Sequence, residues 1–333
     1  MKVLFIGGTG IISEAASKMA VEHGMDLYLL NRGNSNDFAP AEAKLIQADI
    51  RDKISSDKAL GKHKFDVVVD WVAFEPGHVK NDIDLFKDRT EHYIFISSAS
   101  AYQKPVSNYV ITESTPLKNP YWKYSRDKIA CEELLMREYR NSDFPVTIIR
   151  PSLTYGLKMI PAALNSWDKP WSIADRMRRG QQIIVHGDGT SLWTMTHNKD
   201  FAKGLIGLFY NKHSIGHAFH ITSDEVLNWN QIYESIGFAL GCEPNVIHIP
   251  SDFIAHHSSD AKGSLIGDKA ASMVFDNSKI KRFVPNFEAN IPFFTGIKDT
   301  VKSFEAHPKM CAIDKEWNNL MDDIITRYKR AFL

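Results

Sequence analysis

The sequence predicts an α/β protein with a doubly wound parallel sheet and a smaller mixed α/β domain toward its carboxyl end. One observation is the amino-terminal succession of buried strand, glycine turn and amphipathic helix in MKVLFIGGTGIISEAASKMA. Another is the alternation of short apolar runs with helical patterns as far as Tyr155, which is typical of a parallel sheet covered by helices on both faces. Beyond Tyr155 this alternation gives way to a segment rich in proline and tryptophan, which indicates a second domain.

The amino-terminal unit carries the clearest ligand signal. The apolar run at residues 3–6 predicts a strand buried on both faces, and the alanine spacing predicts a helix at about residues 12–23. Between them Gly7, Gly10 and Ser13 form the pattern G-x-x-G-x-x-S. Such a turn lets backbone N–H groups approach a pyrophosphate at a helix N-terminus, as in dinucleotide-binding proteins. Ser13 replaces a third glycine, so we expect slightly wider packing of helix and strand there.

Further apolar runs extend the predicted sheet. The predicted strands are residues 27–30, 43–47, 65–74, 92–97 and 145–149, and the predicted helices between them are residues 79–87 and 124–139. Later segments predict a helix at residues 172–179 and strands at residues 183–186 and 218–222. From Asp314 the tail is amphipathic, with one apolar face formed by Trp317, Leu320, Met321, Ile324, Tyr328 and Phe332, which predicts a helix docked on the core.

Composition excludes several classes of protein. The 333 residues carry 40 basic and 40 acidic side chains, a balance that argues against a large nucleic-acid footprint. No apolar run is long enough to span a membrane, and because the first predicted strand begins at Met1 we expect no signal peptide. The three cysteines are far apart, so we expect a reducing, cytoplasmic setting. The histidines show no metal-ligand spacing with acidic partners, so no metal site is predicted.

Tyr124 and Lys128 form the pattern Y-x-x-x-K within a predicted helix. Residues four apart share one helix face, and an ammonium beside a phenol favours the phenolate that a general base needs. The pattern follows a predicted strand that ends in a serine run containing Ser97, Ser98 and Ser100. The order of these features indicates a proton-transfer site.

Together these features resemble those of an extended short-chain dehydrogenase/reductase of the NAD-dependent epimerase/dehydratase family. The matching stretches are GGTGIIS at Gly7, ADIRD at Ala48, FISSASAY at Phe95, TESTPL at Thr112, YSRDKIACEE at Tyr124, RPSLTYG at Arg150 and HGDGTSLWTMTHNKD at His186. The resemblance implies a Rossmann-like NAD(P)-binding domain at residues 1–156 plus about 194–225. It also implies a substrate domain at about residues 157–193 plus 226–333.

The resemblance also implies site residues. Ser98 is expected to hydrogen-bond the reacting oxygen, Tyr124 to transfer the proton, and Lys128 to hold the cofactor ribose and tune Tyr124. The expected cofactor contacts are Gly7, Gly10, Ile11 and Ile12 at the pyrophosphate, Asn31 and Arg32 at the adenosine ribose, Asp49 and Ile50 at the adenine, and Tyr124, Lys128 and Pro151. Neighbouring serines leave the assignment of Ser98 open by a position or two.

Two departures from the family pattern bear on specificity. Asn31, followed by Arg32, stands where the family often has an aspartate that binds the ribose hydroxyls. Losing that carboxylate and gaining a guanidinium tilts the cofactor preference from NAD toward NADP. Trp193 stands where nucleotide-sugar members carry an arginine that grips the diphosphate. The expected substrate is therefore a free sugar, a polyol or another alcohol, and Trp167 and Trp171 are either flat walls for its ring or core anchors.

Other functions remain open on the same fold. The principal hypothesis is hydride transfer at a secondary alcohol or ketone of a small sugar-like molecule. The enzyme is expected to have no nucleic-acid or membrane partner, and a homodimer is one assembly left open. The alternatives are an RNA-binding protein, since a related plant chloroplast branch is associated with RNA, and a cofactor-sensing regulator without turnover. The intact Y-x-x-x-K pattern favours the enzyme.

Overall fold

The computed structural model describes residues 1–34 and 38–331 of the chain. Its strands are β1 (Lys2–Ile6), β2 (Asp26–Asn31), β3 (Lys44–Gln47), β4 (Val67–Asp70), β5 (Tyr93–Ile96), β6 (Val110–Ile111), β7 (Val146–Ile149), β8 (Leu153–Tyr155), β9 (Ile183–His186), β10 (Leu192–Trp193), β11 (Met195–His197), β12 (Ala218–Phe219), β13 (Leu227–Asn228), β14 (Val246–Ile249) and β15 (Val274–Phe275). Its helices are α1 (Ser13–Glu22), α2 (Lys53–Leu60), α3 (Pro76–Phe86), α4 (Lys123–Ser142), α5 (Ser172–Arg178), α6 (Asn198–Phe209), α7 (Trp229–Leu240), α8 (Ser251–His257), α9 (Ser259–Ala261), α10 (Ser278–Phe283), α11 (Phe293–Ala306) and α12 (Lys315–Arg330), with a π-helix at Lys262–Lys269 between α9 and α10.

Seven parallel strands form the main sheet in the order β12-β7-β5-β4-β1-β2-β3. β1 lies inside the sheet, where Val3 is in register with Leu27 of β2 and with Val67 of β4. The strand order reverses at β1, and ligands of doubly wound sheets bind at such a switch point beyond the strands' carboxyl ends. The predicted Rossmann-like α/β fold is confirmed.

Alternate residues of β1 enter two different apolar layers, which explains its unbroken apolar sequence. Val3 and Phe5 pack with residues of α1 and α6, whereas Leu4 and Ile6 pack with residues of α2, α3 and α4. All four side chains are fully buried. The sheet is therefore covered on both faces, which leaves the carboxyl ends of its strands accessible.

The strand predicted at residues 65–74 is shorter than the apolar run suggested. β4 ends at Asp70 because the Asp70 carboxylate accepts hydrogen bonds from the N–H groups of Val72 (2.8 Å) and Ala73 (3.0 Å), which turns the chain. Residues 71–74 form a loop beside the carboxyl end of β1. The sequence analysis also gave no helix at α2 or α6, although both pack on the sheet.

A second apolar core lies toward the carboxyl end of the chain and combines α5, α7, α11 and α12 with short strand pairs, of which β9–β14 is parallel and β10–β13 antiparallel. The tail helix predicted from Asp314 is present as α12, and Met321, Ile324 and Ile325 are buried on its apolar face. Phe332, which the pattern assigns to the same face, lies outside the described residues. Among residues 1–34 and 38–331, no helix has both the length and the apolar character needed to cross a bilayer.

Candidate active site

A cleft of about 380 Å³ lies beyond the carboxyl ends of β1 to β4 and brings most of the predicted cofactor residues together. Gly7, Asn31, Arg32, Asp49 and Ile50 all line it. Gly10, Ile11 and Ile12 lie in the turn that leads into α1 and are not among the lining residues, and Ile11 lines a neighbouring cavity instead. The structure thus places the predicted adenosine contacts in one cleft and the rest of the glycine turn at its border.

The glycine turn approaches its neighbours too closely for side chains. Gly7 and Gly8 have φ of +101° and +95°, and a Cβ on Gly8 would lie 2.6 Å from the Leu29 side chain. Ser13 Oγ accepts a hydrogen bond from the Gly10 N–H at 2.8 Å, so the serine at the third glycine position stabilises the turn. The first residue of α1 follows a cap position, Ile12, that provides no side-chain hydrogen bond. A pyrophosphate fits such a helix end, because its first N–H groups have no side-chain acceptor.

Asn31 provides a more specific test of whether the cleft suits a dinucleotide. Its Oδ1 accepts the Gly33 N–H at 2.8 Å, which orients the amide. Its Nδ2 is buried and has no hydrogen-bond partner among the described residues. Buried donors without partners are rare, and one that borders a cleft suits a ligand oxygen. The residues present therefore fit the ribose of a dinucleotide at this end of the cleft.

A second cavity, of about 340 Å³, contains the predicted catalytic residues Ser98 and Tyr124. It adjoins the cofactor cleft, because Phe74 lines the cleft and its ring centroid lies 6.5 Å from that of Tyr124. Pro151, predicted as a cofactor contact, lies at the end of β7 and lines this second cavity. The two cavities together form a continuous candidate active site along the edge of the sheet.

The serine run resolves into three different environments. Ser97 Oγ donates to the buried Glu132 carboxylate at 2.5 Å, so its proton is engaged by that carboxylate. Ser100 Oγ accepts a hydrogen bond from Ser125 at 2.7 Å and contacts Ser98 Oγ at 2.9 Å. The Ser98 hydroxyl lies near enough to the Tyr124 phenol to lower the pKa of that phenol. Of the three serines, Ser98 is the one whose hydroxyl affects the predicted proton-transfer group.

Lys128 lies one turn after Tyr124 on α4 and is almost fully buried. Its ammonium donates to the carbonyl oxygens of Ala73 (2.6 Å) and Ile96 (2.8 Å), so it bridges the chain segments that follow β4 and β5. Nζ lies 5.8 Å from the centroid of the Tyr124 ring. An ammonium has three donors, and the two described bonds leave one for a ribose hydroxyl.

The protonation of this pair differs from the sequence-based expectation. Burial raises the pKa of Tyr124 to about 12, and the nearby Ser98 hydroxyl opposes that shift. Burial lowers the pKa of Lys128 to about 8, against the attraction of Asp70. The pKa of Tyr124 is thus raised and not lowered as expected from its neighbour Lys128, because burial of the phenol dominates. Without ligands the phenol is a proton donor at neutral pH.

The tryptophans divide between the cavity and the core. Trp167 is 65% exposed and lines the catalytic cavity, whereas Trp171 is buried and stacks on Phe304 with ring centroids 5.2 Å apart. Trp193, at the position where an arginine was expected from the family, is buried and also lines the cavity. Its ring packs on Trp229 at 5.7 Å. A flat apolar wall thus replaces a guanidinium at this place.

Several cavity residues were missed by the sequence analysis. Asp268 and Lys269 line the cavity from the end of the π-helix, more than 130 residues after Tyr124, and no local pattern marks them. Asn119 joins this segment to the catalytic turn: its Nδ2 donates to the carbonyls of Ser100 (2.8 Å) and Gly267 (2.6 Å). An Asn-Pro pair before a helix was the available signal for Asn119.

Metal and thiol chemistry find little support in the described part of the chain. Within it, no group of three or more histidine, cysteine, aspartate or glutamate side chains is arranged to hold a metal ion. Cys131, Cys242 and Cys311 are free thiols. Burial raises the pKa of Cys131 to about 12, which makes it a poor nucleophile.

Fold and site together define an extended short-chain dehydrogenase/reductase. A model of the NAD dependent epimerase/dehydratase family matches residues 3–86 and 83–221, which is more than half of the chain. The chain therefore belongs to this family and is an NAD(P)-dependent oxidoreductase of the short-chain dehydrogenase/reductase type.

Two characterised relatives match most of the chain. The 2'-dehydrokanamycin reductase of Streptomyces kanamyceticus is 22% identical over 288 residues, which cover 86% of this chain and 80% of the relative. The chloroplast stem-loop binding protein of 41 kDa b of Arabidopsis thaliana is 26% identical over 267 residues, which cover 76% and 67%.

Solved structures agree in fold. Pal from Bacillus thuringiensis superposes with a TM-score of 0.74 at 20% identity and covers 92% of this chain and 99% of its own. A UDP-glucose 4-epimerase of Thermotoga maritima gives 0.73 at 18% identity, with 92% and 99% covered. A dTDP-glucose 4,6-dehydratase of Bacillus anthracis in complex with NAD gives 0.73 at 16%, with 93% and 98% covered.

Proposed function

We propose that the enzyme transfers hydride at a secondary alcohol or ketone of a sugar-like substrate, with Ser98, Tyr124 and Lys128 as its catalytic set. The observation that carries the proposal is that Ser98 and Tyr124 line the same cavity beside the cofactor cleft, with the Ser98 hydroxyl near enough to lower the pKa of the phenol. The relative from Streptomyces is named a reductase, which supports reduction of a ketone as one direction of the reaction.

A bound nicotinamide cofactor supplies or accepts the hydride. In reduction, Tyr124 donates its proton to the substrate oxygen as that oxygen gains negative charge, and solvent then restores the proton to the phenolate. Ser98 donates a hydrogen bond to the same oxygen and so stabilises its developing charge. Lys128 keeps one N–H for the cofactor ribose and favours the transient phenolate by its positive charge.

We also propose that the cofactor is NADP in preference to NAD. Asn31 offers a neutral amide at the ribose end of the cleft, and Arg32 is exposed beside it with no described side-chain contact. A 2′-phosphate would meet no carboxylate at Asn31 and could pair with the Arg32 guanidinium.

The proposed domain division keeps the boundaries predicted from the sequence. Its support is that α6 packs against α1 and that β12 pairs with β7, which joins residues 194–225 to the cofactor-binding part. Trp167, Trp193, Asp268 and Lys269 come from the proposed substrate domain and line the catalytic cavity. A cytoplasmic location and a homodimeric assembly stay predictions.

The test is a turnover screen followed by one substitution. Free sugars, polyols, their keto derivatives and nucleotide sugars are supplied with either cofactor, and the nicotinamide absorbance is followed. Tyr124→Phe keeps the ring and removes the proton, so we expect turnover to fall by roughly 10²–10⁴ while cofactor affinity stays nearly unchanged.

Wild-type turnover by Tyr124→Phe would refute the proposed catalytic set. The stem-loop binding relative makes RNA the second ligand to test. If no alcohol or ketone reacts and RNA binds tightly at moderate salt, the RNA-binding alternative replaces the proposal.

A further inference from the structure

Asp268 and Lys269 form an isolated charge pair inside the catalytic cavity. Both are buried, with 9% and 3% of their surface exposed. Lys269 Nζ contacts Asp268 Oδ2 at 3.4 Å, and this long contact is its one described hydrogen bond. An ammonium has three donors and a carboxylate about four acceptor positions, so most of the hydrogen-bonding capacity of this buried pair is unused in the described structure.

Trp193 adds a third polar group to the same wall. The residue is buried, and its indole Nε1 has no hydrogen-bond partner among the described residues. A buried indole N–H normally finds an acceptor. Donors from Lys269 and Trp193 and acceptors from Asp268 therefore line one cavity together with Tyr124.

The backbone of the pair is fixed without help from its side chains. The Lys269 carbonyl accepts a hydrogen bond from His186 Nε2 at 3.1 Å, and the Asp268 carbonyl accepts one from the buried Lys104 ammonium at 3.3 Å. Asn119 holds the preceding carbonyl, that of Gly267. The two charged side chains thus make no described hydrogen bond to another element, and their remaining donors and acceptors are available for a ligand.

The pair lies close to the reacting centre. Asp268 is near enough to the Tyr124 phenol for its negative charge to raise the tyrosine pKa, in addition to burial. Lys269 Nζ lies 5.8 Å from the Trp122 ring, and that ring packs on Tyr124 at 4.9 Å. π-Helical turns of the kind that precedes this pair are frequent at functional sites.

We propose that Asp268, Lys269 and the Trp193 N–H bind hydroxyl groups of a neutral sugar-like ring and thereby determine substrate specificity. Neighbouring hydroxyls both donate and accept, which matches a carboxylate beside an ammonium. The pair has no net charge, the neighbouring Lys104 ammonium does not line the cavity, and Trp193 replaces a cation, so the site favours a neutral ring over a nucleotide diphosphate. The exposed Trp167 and the half-buried Trp122 offer apolar faces to the ring. This inference rests on the proposed function.

Binding is measured without turnover, because three tryptophans around the cavity make intrinsic fluorescence a direct readout. The holoenzyme, saturated with the reduced cofactor, is titrated with the methyl glycosides of glucose, galactose and mannose, with glucuronate, and with UDP-glucose. At least one neutral glycoside should bind, with glucuronate and UDP-glucose much weaker. Asp268→Asn and Lys269→Met should each raise its dissociation constant about 10- to 100-fold, since each removes charge-assisted hydrogen bonds.

The matched control is Lys262→Met, which removes a charge from the exposed first residue of the same π-helix and should change the constant less than about twofold. Cofactor binding, followed by nicotinamide fluorescence, reports whether each variant is folded, and Lys269→Gln replaces Lys269→Met if the latter does not fold. The proposal is overturned if no neutral glycoside binds, if UDP-glucose binds more tightly, or if the variants bind like wild type. Failure of the proposed function would appear separately, as absent cofactor binding or undiminished turnover by Tyr124→Phe.

Discussion

Two adjacent side chains at the end of β2, Asn31 and Arg32, carry the proposed cofactor preference. The Asn31 amide is held by the Gly33 N–H and presents an unpaired donor, so it can serve a ribose hydroxyl in either cofactor. Arg32 contributes only its backbone carbonyl to the described fold, by accepting Gln47 Nε2 at 3.3 Å. Its guanidinium is therefore free to distinguish a phosphate from a hydroxyl.

We expect Arg32→Ala to weaken NADP binding by about 1–3 kcal/mol, the scale of a charge-assisted hydrogen bond, and to leave NAD binding almost unchanged. The measurement is a titration of nicotinamide fluorescence with each reduced cofactor. NAD binding to the same variant is the internal control. Equal losses for the two cofactors would rule out the NADP preference.

Lys128→Ala should act differently from Tyr124→Phe. Lys128 anchors the loop after β4 through Ala73 and the end of β5 through Ile96, and it retains one donor for the ribose. Its removal leaves two buried carbonyls without a donor and removes positive charge beside the phenol. We therefore expect a loss of cofactor affinity of at least tenfold together with a loss of turnover. If only turnover fell, the ribose contact would be wrong.

The sequence predicted catalytic residues where chemistry follows a linear pattern. Ser98, Tyr124 and Lys128 could be proposed together as catalytic because a strand end and one helical turn fix their relation, and their catalytic role stays a prediction. Asp268 and Lys269 were not, because their position depends on a π-helix pressed against Trp122, and single-residue spacing does not encode that contact. The pKa of Tyr124 was missed for a similar reason: burial and the carbonyl partners of Lys128 are tertiary features.

At the scale of elements, the packing of the π-helix on α4 depends on small residues. A Cβ on Gly263 would overlap the Trp122 ring, within 2.8 Å of its nitrogen. A Cβ on Gly77 in α3 would meet nothing within 4 Å. The two glycines thus lie in helical segments but differ in what a methyl group would encounter.

Gly263→Ala should lower the free energy of unfolding by about 1–3 kcal/mol, because Trp122 or the π-helix must move to admit the methyl group. Gly77→Ala, as the matched control, should raise it by about 0.5–1 kcal/mol through lower backbone entropy of the unfolded chain. Urea unfolding monitored by circular dichroism measures both. If the Gly263→Ala protein were as stable as the Gly77→Ala protein, the Trp122 ring would not limit the size of the side chain at residue 263.

Elements were predicted well where burial on both faces dictates the sequence. β1 and β5 are apolar throughout and were located to within about one residue. The predicted strand continued four residues past the end of β4, because the run WVAF is apolar although it forms a loop. The Asp70 carboxylate turns the chain into that loop. α2 was not predicted, since its eight residues include two serines and only Ser56 and Leu60 are buried.

At the scale of the whole molecule, the apolar layers enclose histidines that have to remain neutral. His92 lies at the entry to β5, His186 at the end of β9 and His197 at the end of β11, and each is at most 2% exposed. Burial lowers the pKa of each to about 4. In His92 and His186 the Nδ1 atom has no described hydrogen-bond partner, so a proton there would be poorly compensated.

These histidines predict a loss of stability in mild acid. In the unfolded chain a histidine takes up its proton near pH 6.5, whereas the folded protein resists protonation until about pH 4. The unfolded state therefore binds more protons between these values, and stability that is fully present above pH 6.5 is lost as the pH falls through this window. A shift of this size corresponds to about 3 kcal/mol per histidine at the acid end.

The measurement is the free energy of unfolding in urea from pH 7 to pH 4.5, for wild type and His92→Gln. The variant keeps a side chain that can hydrogen-bond Thr147, the partner of His92 Nε2 at 2.7 Å, but it cannot take up the proton. We expect its stability to fall less steeply with decreasing pH than that of the wild type. His256→Gln, at an exposed position in α8, is the control and should follow the wild-type curve. Identical curves for all three proteins would exclude His92 as a source of the acid sensitivity.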